Sequence, residues 1–160
     1  MNLVISSTAF PDGQPIPKKY TGDGADASPP LRWEGVPANA SSLALIGDDP
    51  DAPRGTWTHW VVFNLPPEVH ELPEGVSPQN ELPNGAAQGV NDFGKVGYGG
   101  PAPPPGKPHR YFFRLYALDT RLNLTPGRAT RQQLLEAMKG HVLAEGLIMG
   151  TYGRRREGGG

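Results

Sequence analysis

The sequence predicts a mainly β domain, a sandwich-like fold around a central antiparallel-rich sheet, with long Pro/Gly loops and one helix in the C-terminal region. Three observations carry that expectation. The densest apolar runs, at residues 42–47 (SLALIG), 59–65 (HWVVFNL) and 109–118 (HRYFFRLYAL), are short and rich in β-branched and aromatic residues. Glycine and proline, 22 and 19 of 160 residues, lie between these runs with no repeat, where turns belong. A single segment carries the caps and apolar stripe of a helix.

In chain order, residues 3–5 form a short β-rich run that Phe10-Pro-Asp-Gly ends in a turn. Residues 16–20 (IPKKY) read as an edge strand, because Pro17 is tolerated at an edge and not in a sheet centre. Residues 22–30 are irregular, and extended structure resumes at Leu31-Arg-Trp33. The run at 42–47 is apolar without alternation, as in a strand buried on both faces. The next buried strand, 59–65, is stopped by Pro66-Pro67. Residues 68–84 read as a surface excursion, and 85–100, with six glycines, as a long ordered loop. Over 109–118, Tyr111, Phe113, Leu115 and Ala117 share one face. Thr130 is a good N-cap, Gln133 completes a capping box, Leu134, Leu135 and Met138 form the stripe, and Gly140 sits where a helix stops. Residues 141–152 read as strand, since Gly146 and Gly150 disfavour helix. The chain is thus expected to be one domain over residues 1–153, with 154–160 (RRREGGG) a flexible basic tail.

Composition excludes several classes of function. A net charge of −1 gives no general field toward nucleic acid or anionic membrane. There is no cysteine, hence no disulfide, thiolate metal site or cysteine nucleophile. No apolar stretch is long enough for a membrane span. The start, MNLVISSTAFPDG, lacks the pattern of a signal peptide, so a cytoplasmic location is the expectation. G-x-S-x-G, a P-loop and a G-x-G-x-x-G opening a helix are absent, and no H-x-H or H-E-x-x-H spacing marks a metal site. The expectation is a protein that is not an enzyme and carries neither cofactor nor metal, with a phosphoesterase or a metal-dependent hydrolase using a His/His/Asp set as the lesser alternative.

The chemistry concentrates in residues 48–65 (DDPDAPRGTWTHWVVFNL) and 98–118 (YGGPAPPPGKPHRYFFRLYAL), each a rigid loop, a histidine and then a strand. If the strands at 42 and 59 pair antiparallel, Asp49 and His59 lie at the same sheet end, and His109 and Tyr111 share parity at the start of the third strand. Gly99-Gly100-Pro101 then adds free backbone N–H groups. Imidazoles beside a carboxylate tend toward the cation, and a tyrosine adds a neutral donor. Such a cluster is a receptor for a small phosphate or carboxylate with no built-in nucleophile. Strand parity places His59, Val61 and Phe63 on one face and Trp60, Val62 and Asn64 on the other, which assigns Trp60 to packing.

At these residues, DPDAP followed by W-x-H-W and then GYGGP…HRY-x-F, the chain resembles the phosphatidylethanolamine-binding protein family, also called Raf kinase inhibitor-like, in its bacterial and archaeal form. PIPKKYTGDGADASPPLRW and AMKGHVLAEGLIMGTYGR extend the resemblance over residues 3–154. It implies a β-rich sandwich with an anion and phospholipid head-group pocket at one end of the central sheet, and a binding or regulatory role without catalysis. By motif position the pocket residues are Asp49, Pro53, Trp57, His59, Gly100, Pro101, His109 and Tyr111. The expected partners are a small phosphate- or carboxylate-bearing ligand, a protein such as a protease or kinase, and a second copy of the chain in a homodimer. An alternative role, as a serine protease inhibitor or other interaction module, would use the Pro-rich loops at 102–108 and 72–83. The eukaryotic branch closes its pocket with a C-terminal helix, whereas residues 141–152 are expected to be strand followed by RRREGGG, so a more open pocket is the expectation.

Overall fold

The structure, a computed structural model, describes residues 2–154. Its elements are β1 (Val4–Ser6), a 3-10 turn (Lys18–Tyr20), β2 (Leu31–Glu34), β3 (Ser42–Asp49), β4 (Trp57–Leu65), β5 (Glu71–Leu72), β6 (Ala87–Gln88), β7 (His109–Leu118), α1 (Arg131–Met138) and β8 (Val142–Tyr152). They form a three-stranded sheet, β1-β2-β5, and a five-stranded sheet, β6-β4-β3-β7-β8, antiparallel throughout.

β3 is the middle strand of the larger sheet and is buried at every position, which is why its sequence does not alternate. On one face Leu43, Leu45, Trp60, Val62, Phe113 and Leu115 pack against Ile5, Leu31, Trp33 and Leu72 of the smaller sheet. On the other, Ala44, Ile46, Val61 and Phe63 are covered by Leu122, Leu134 and Met138. The fold is therefore a sandwich with one helix docked on its back, as the sequence predicts.

The helix begins as its sequence dictates. The Thr130 hydroxyl accepts from the Gln133 N–H at 3.1 Å, and the Gln133 side chain accepts from the Thr130 N–H. Gly140, at φ +80°, ends it in a conformation that side chains resist. Thr130→Ala is expected to lower the unfolding free energy by about 1 kcal/mol, read from the urea midpoint, with little change in the pocket.

Four local expectations need correction. Residues 16–20 are not an edge strand. The chain makes one bridge, Pro15 to Thr151, and then turns at Lys18–Tyr20. Pro15 and Pro17 remove alternate N–H donors, so no ladder can extend along that edge. The 68–84 excursion is in part structural: β5 pairs with β2, Leu72 is buried, and Trp33 Nε1–H donates to the Val69 carbonyl at 3.0 Å. The 85–100 loop contains β6 and lengthens the β4 edge. Finally, the tail does not start at Arg154, whose guanidinium holds Asp23 at 2.7 Å and the Pro103 carbonyl at 3.2 Å. Residues 155–160 lie outside the described residues.

Candidate functional site

At the end of the larger sheet where β3 runs out and β4 and β7 begin lies a cavity of about 170 Å³. A water's share of liquid volume is about 30 Å³, so the cavity suits a phosphate-sized group. Of the residues expected at the site, Asp49, Pro53, Trp57, His59, His109 and Tyr111 line this cavity. Ala52, Phe93, Ala102, Pro103 and Pro104 line it as well.

Asp49 does more than form a turn. Its Oδ1 accepts from the Asp51 N–H at 2.8 Å, which shapes the DPDAP loop. Its Oδ2 accepts from His109 Nδ1 at 2.7 Å, with both side chains almost wholly buried. Asp51 points elsewhere and clamps Arg110 through its backbone N–H, Nε and Nη2 at 2.9–3.0 Å. That fork pulls the Asp51 carboxyl down to about 2. The two acids of DPDAP thus secure consecutive residues of β7, one inside the pocket and one outside.

His59 reaches the pocket by a route that parity alone does not show. Gly47 pairs with Trp60, but the next β3 residue, Asp48, pairs with Thr58, so His59 is the extra residue of a bulge. A bulge turns one side chain across the sheet. His59 consequently lies on the same side as Trp60, its ring edge-on to Tyr111 at 5.3 Å between centroids, rather than on the Val61 and Phe63 face. Trp60 remains core: it is fully buried, with Nε1–H donating to Gln88 Oε1 at 2.8 Å.

The tautomers follow from the partners. A carbonyl can only accept, so the 2.6 Å contact between His59 Nδ1 and the Gly99 oxygen places a proton on Nδ1 and leaves Nε2 for a ligand. The Asp49 contact does the same for His109. Both imidazoles were expected to lean toward the cation. Instead burial pushes His59 down, against opposing contributions from the Gly99 carbonyl and Asp49, so its neutral form dominates the free pocket. Burial first, and Asp49 second, push the Tyr111 phenol well up. Its hydroxyl is buried and has no hydrogen-bond partner among the described residues.

Gly100 and Pro101 do not line the cavity. The Gly99 N–H donates to the His59 carbonyl at 2.9 Å and the Gly100 N–H to Asp26 Oδ1 at 2.8 Å, so neither is free for an anion. The Pro101 carbonyl accepts from the Gly22 N–H at 2.8 Å. Gly100 is glycine because a Cβ there would sit 2.5 Å from the Tyr20 carbonyl oxygen. These residues anchor the segment that carries Ala102 and Pro103 to the rim.

Phe93, which sequence reasoning missed, meets Trp57 and His59 edge-on at 5.4 and 5.5 Å. The buried Asn91 side chain positions it, accepting from the Phe93 and Lys95 N–H groups and donating to the Gly97 carbonyl. The Asp92 N–H donates to the Thr58 carbonyl while Asp92 Oδ2 accepts from the Thr58 N–H, tying this loop to β4. An aromatic between an Asn-Asp turn and a glycine was the available signal. Among the described residues no helix follows β8, and Phe93 with the proline segment forms the rim.

Fold and site together define a β-sandwich with a largely apolar pocket at one end of its larger sheet, into which two histidines, an aspartate and a tyrosine are set. The family model described as phosphatidylethanolamine-binding protein matches residues 6–153, and the chain belongs to that family. A UPF0098 protein of Methanothermobacter thermautotrophicus is 57% identical over 154 residues, covering 96% of this chain and 99% of that protein. The crystal structure of a phosphatidylethanolamine-binding protein homologue from Chlamydia trachomatis superposes with a TM-score of 0.86 at 45% identity, covering 96% and 98% of the two chains. That of E. coli YbcL, described as a member of the mammalian PEBP family, gives 0.90 at 33%, covering 97% and 100%.

Proposed function

We propose that the chain is a non-catalytic binding protein for a small oxyanion, such as phosphate, a phosphomonoester or a phospholipid head group, and that it serves a regulatory role through that ligand. The observation that carries this reading is the Tyr111 hydroxyl, a buried donor without a partner among the described residues, beside His59 and His109. A buried polar group without a partner is costly, and an anion's oxygens are the partners it lacks. Asp49, His59, His109 and Tyr111 contact the ligand in this reading, Pro53 and Trp57 shape the entrance, and Gly100 and Pro101 act from behind by anchoring the rim. None of the four contacting groups is a serine, cysteine or lysine nucleophile, which supports binding over turnover.

The pH dependence has a definite sign. Burial holds His59 neutral in the free pocket, and an oxyanion against its Nε2 favours the protonated form. Binding therefore takes up a proton, and affinity weakens as pH rises through the bound-state value. Calorimetry with sulfate, whose charge is constant here, is expected to show affinity falling between about pH 5.5 and 8. A flat sulfate profile sinks the cationic His59. Loss of phosphate and phosphoethanolamine binding in His59→Ala supports the site, and unchanged affinity in His59→Ala/His109→Ala overturns the reading.

A second reading, docking of a partner such as a serine protease, draws support from the exposed Pro104 on the rim and the exposed Pro105 and Pro108 that follow it. Protease inhibition that survives pocket substitutions but not removal of residues 104–107 would favour it.

A further inference from the structure

Asp48 and Asp49 are consecutive on β3 and face opposite sides of the sheet. Asp49 belongs to the pocket above. On the back of the sheet, Asp48 lies in a separate cavity of about 250 Å³ with Arg114, Arg131, Thr56 and Tyr116. We propose that this second cavity is an oxyanion site, holding a phosphate or carboxylate group between the guanidiniums of Arg114 and Arg131.

The argument rests on charge and on unmet donors. The Asp48 carboxylate is almost fully buried and both its oxygens are taken by Arg114, from Nε at 3.0 Å and Nη2 at 3.3 Å. Arg131 comes too late to share it, with Nε 3.8 Å from Oδ2, beyond hydrogen-bond length. Arg131 Nε is buried with no partner among the described residues. One carboxylate thus faces two guanidiniums, leaving a surplus positive charge and a charged donor unsatisfied. Glu145, opposite Tyr116 on β8, forms no ion pair with either arginine among the described residues.

The remaining polar groups lining the cavity are the hydroxyls of Thr56 and Tyr116, both able to donate, beside the apolar Ile46 and Leu135. The Arg131 guanidinium, the Arg114 N–H groups not turned to Asp48, and two hydroxyls around one space match the oxygens of a phosphate or carboxylate, which arginine grips through N–H donors. Arg114 lies over the Phe112 ring at 4.4 Å, which together with Asp48 fixes its guanidinium, and Arg131 is the first residue of the capped helix α1. This face does not use His59, His109 or Tyr111, so the proposal stands apart from the front pocket.

The test is NMR of the arginine Nε–H groups in the full chain at constant ionic strength, titrated separately with inorganic phosphate and acetate. Saturable shifts at Arg114 and Arg131 with phosphate alone point to phosphoryl ligands, and with acetate as well to carboxylates; either supports the site. The shift is expected to persist in His59→Gln, which impairs the front pocket, and Arg131→Gln is expected to weaken binding roughly tenfold or more. Shifts no larger than those of exposed Arg121 with both anions, or shifts that vanish in His59→Gln, overturn the proposal. If Arg131→Gln does not fold, the wild-type titration and His59→Gln still decide.

Discussion

His109→Ala is expected to lower the unfolding free energy by about 3–5 kcal/mol and to abolish anion binding. The cause is what the substitution leaves behind. Asp49 is almost wholly buried, and without His109 its carboxylate keeps one hydrogen bond, from the Asp51 N–H. A buried charge stripped of its partner costs far more than the net worth of the pair. The double variant Asp49→Ala/His109→Ala removes both members and is expected to be less destabilised than the two single changes summed. Urea unfolding of the four proteins measures the coupling. Single effects that add within about 0.5 kcal/mol would show that the pair is not an energetic unit.

Trp60→Ala is the second large effect, about 3–5 kcal/mol. Trp60 is fully buried between the sheets, and its ring meets Tyr98 edge-on at 5.5 Å. It also supplies the partner of Gln88 Oε1, while Gln88 Nε2 donates to the Ser77 and Gln79 carbonyls at 2.8 Å each. Truncation therefore opens a void and loosens the amide that holds residues 77–79. Trp60→Phe separates the two, keeping most of the packing and leaving Gln88 Oε1 unpaired at a cost of about 1–3 kcal/mol. Hydrogen exchange should accelerate at residues 77–79 in both variants. A Phe variant as stable as the parent would show that the hydrogen bond contributes nothing net.

Burial pattern made the larger sheet legible. The continuous apolar run of β3 marks a strand covered on both faces, and the single parity of Tyr111, Phe113, Leu115 and Ala117 survives intact because β7 has no bulge where it pairs with β3. The helix was legible for a different reason: its capping box is a local interaction, complete within four residues. β5 and β6 were not legible. Each is two residues long and exists only because a neighbouring strand offers an open edge, and no local pattern encodes such an edge.

Sequence by itself singled out the residues proposed for the site: two histidines, a carboxylate and a tyrosine at strand starts and in rigid loops. Tertiary structure decided how they are used. It spent the N–H groups of Gly99 and Gly100 within the protein, turned Asp51 out to Arg110, and brought Phe93 in from a loop. Above all it turned His59 toward Tyr111, because an extra residue in β4 shifts the register against β3. Strand parity is a property of one segment, whereas register is a property of two. A side chain's face can be counted along a regular strand, but a bulge appears only when the partner strand is in place.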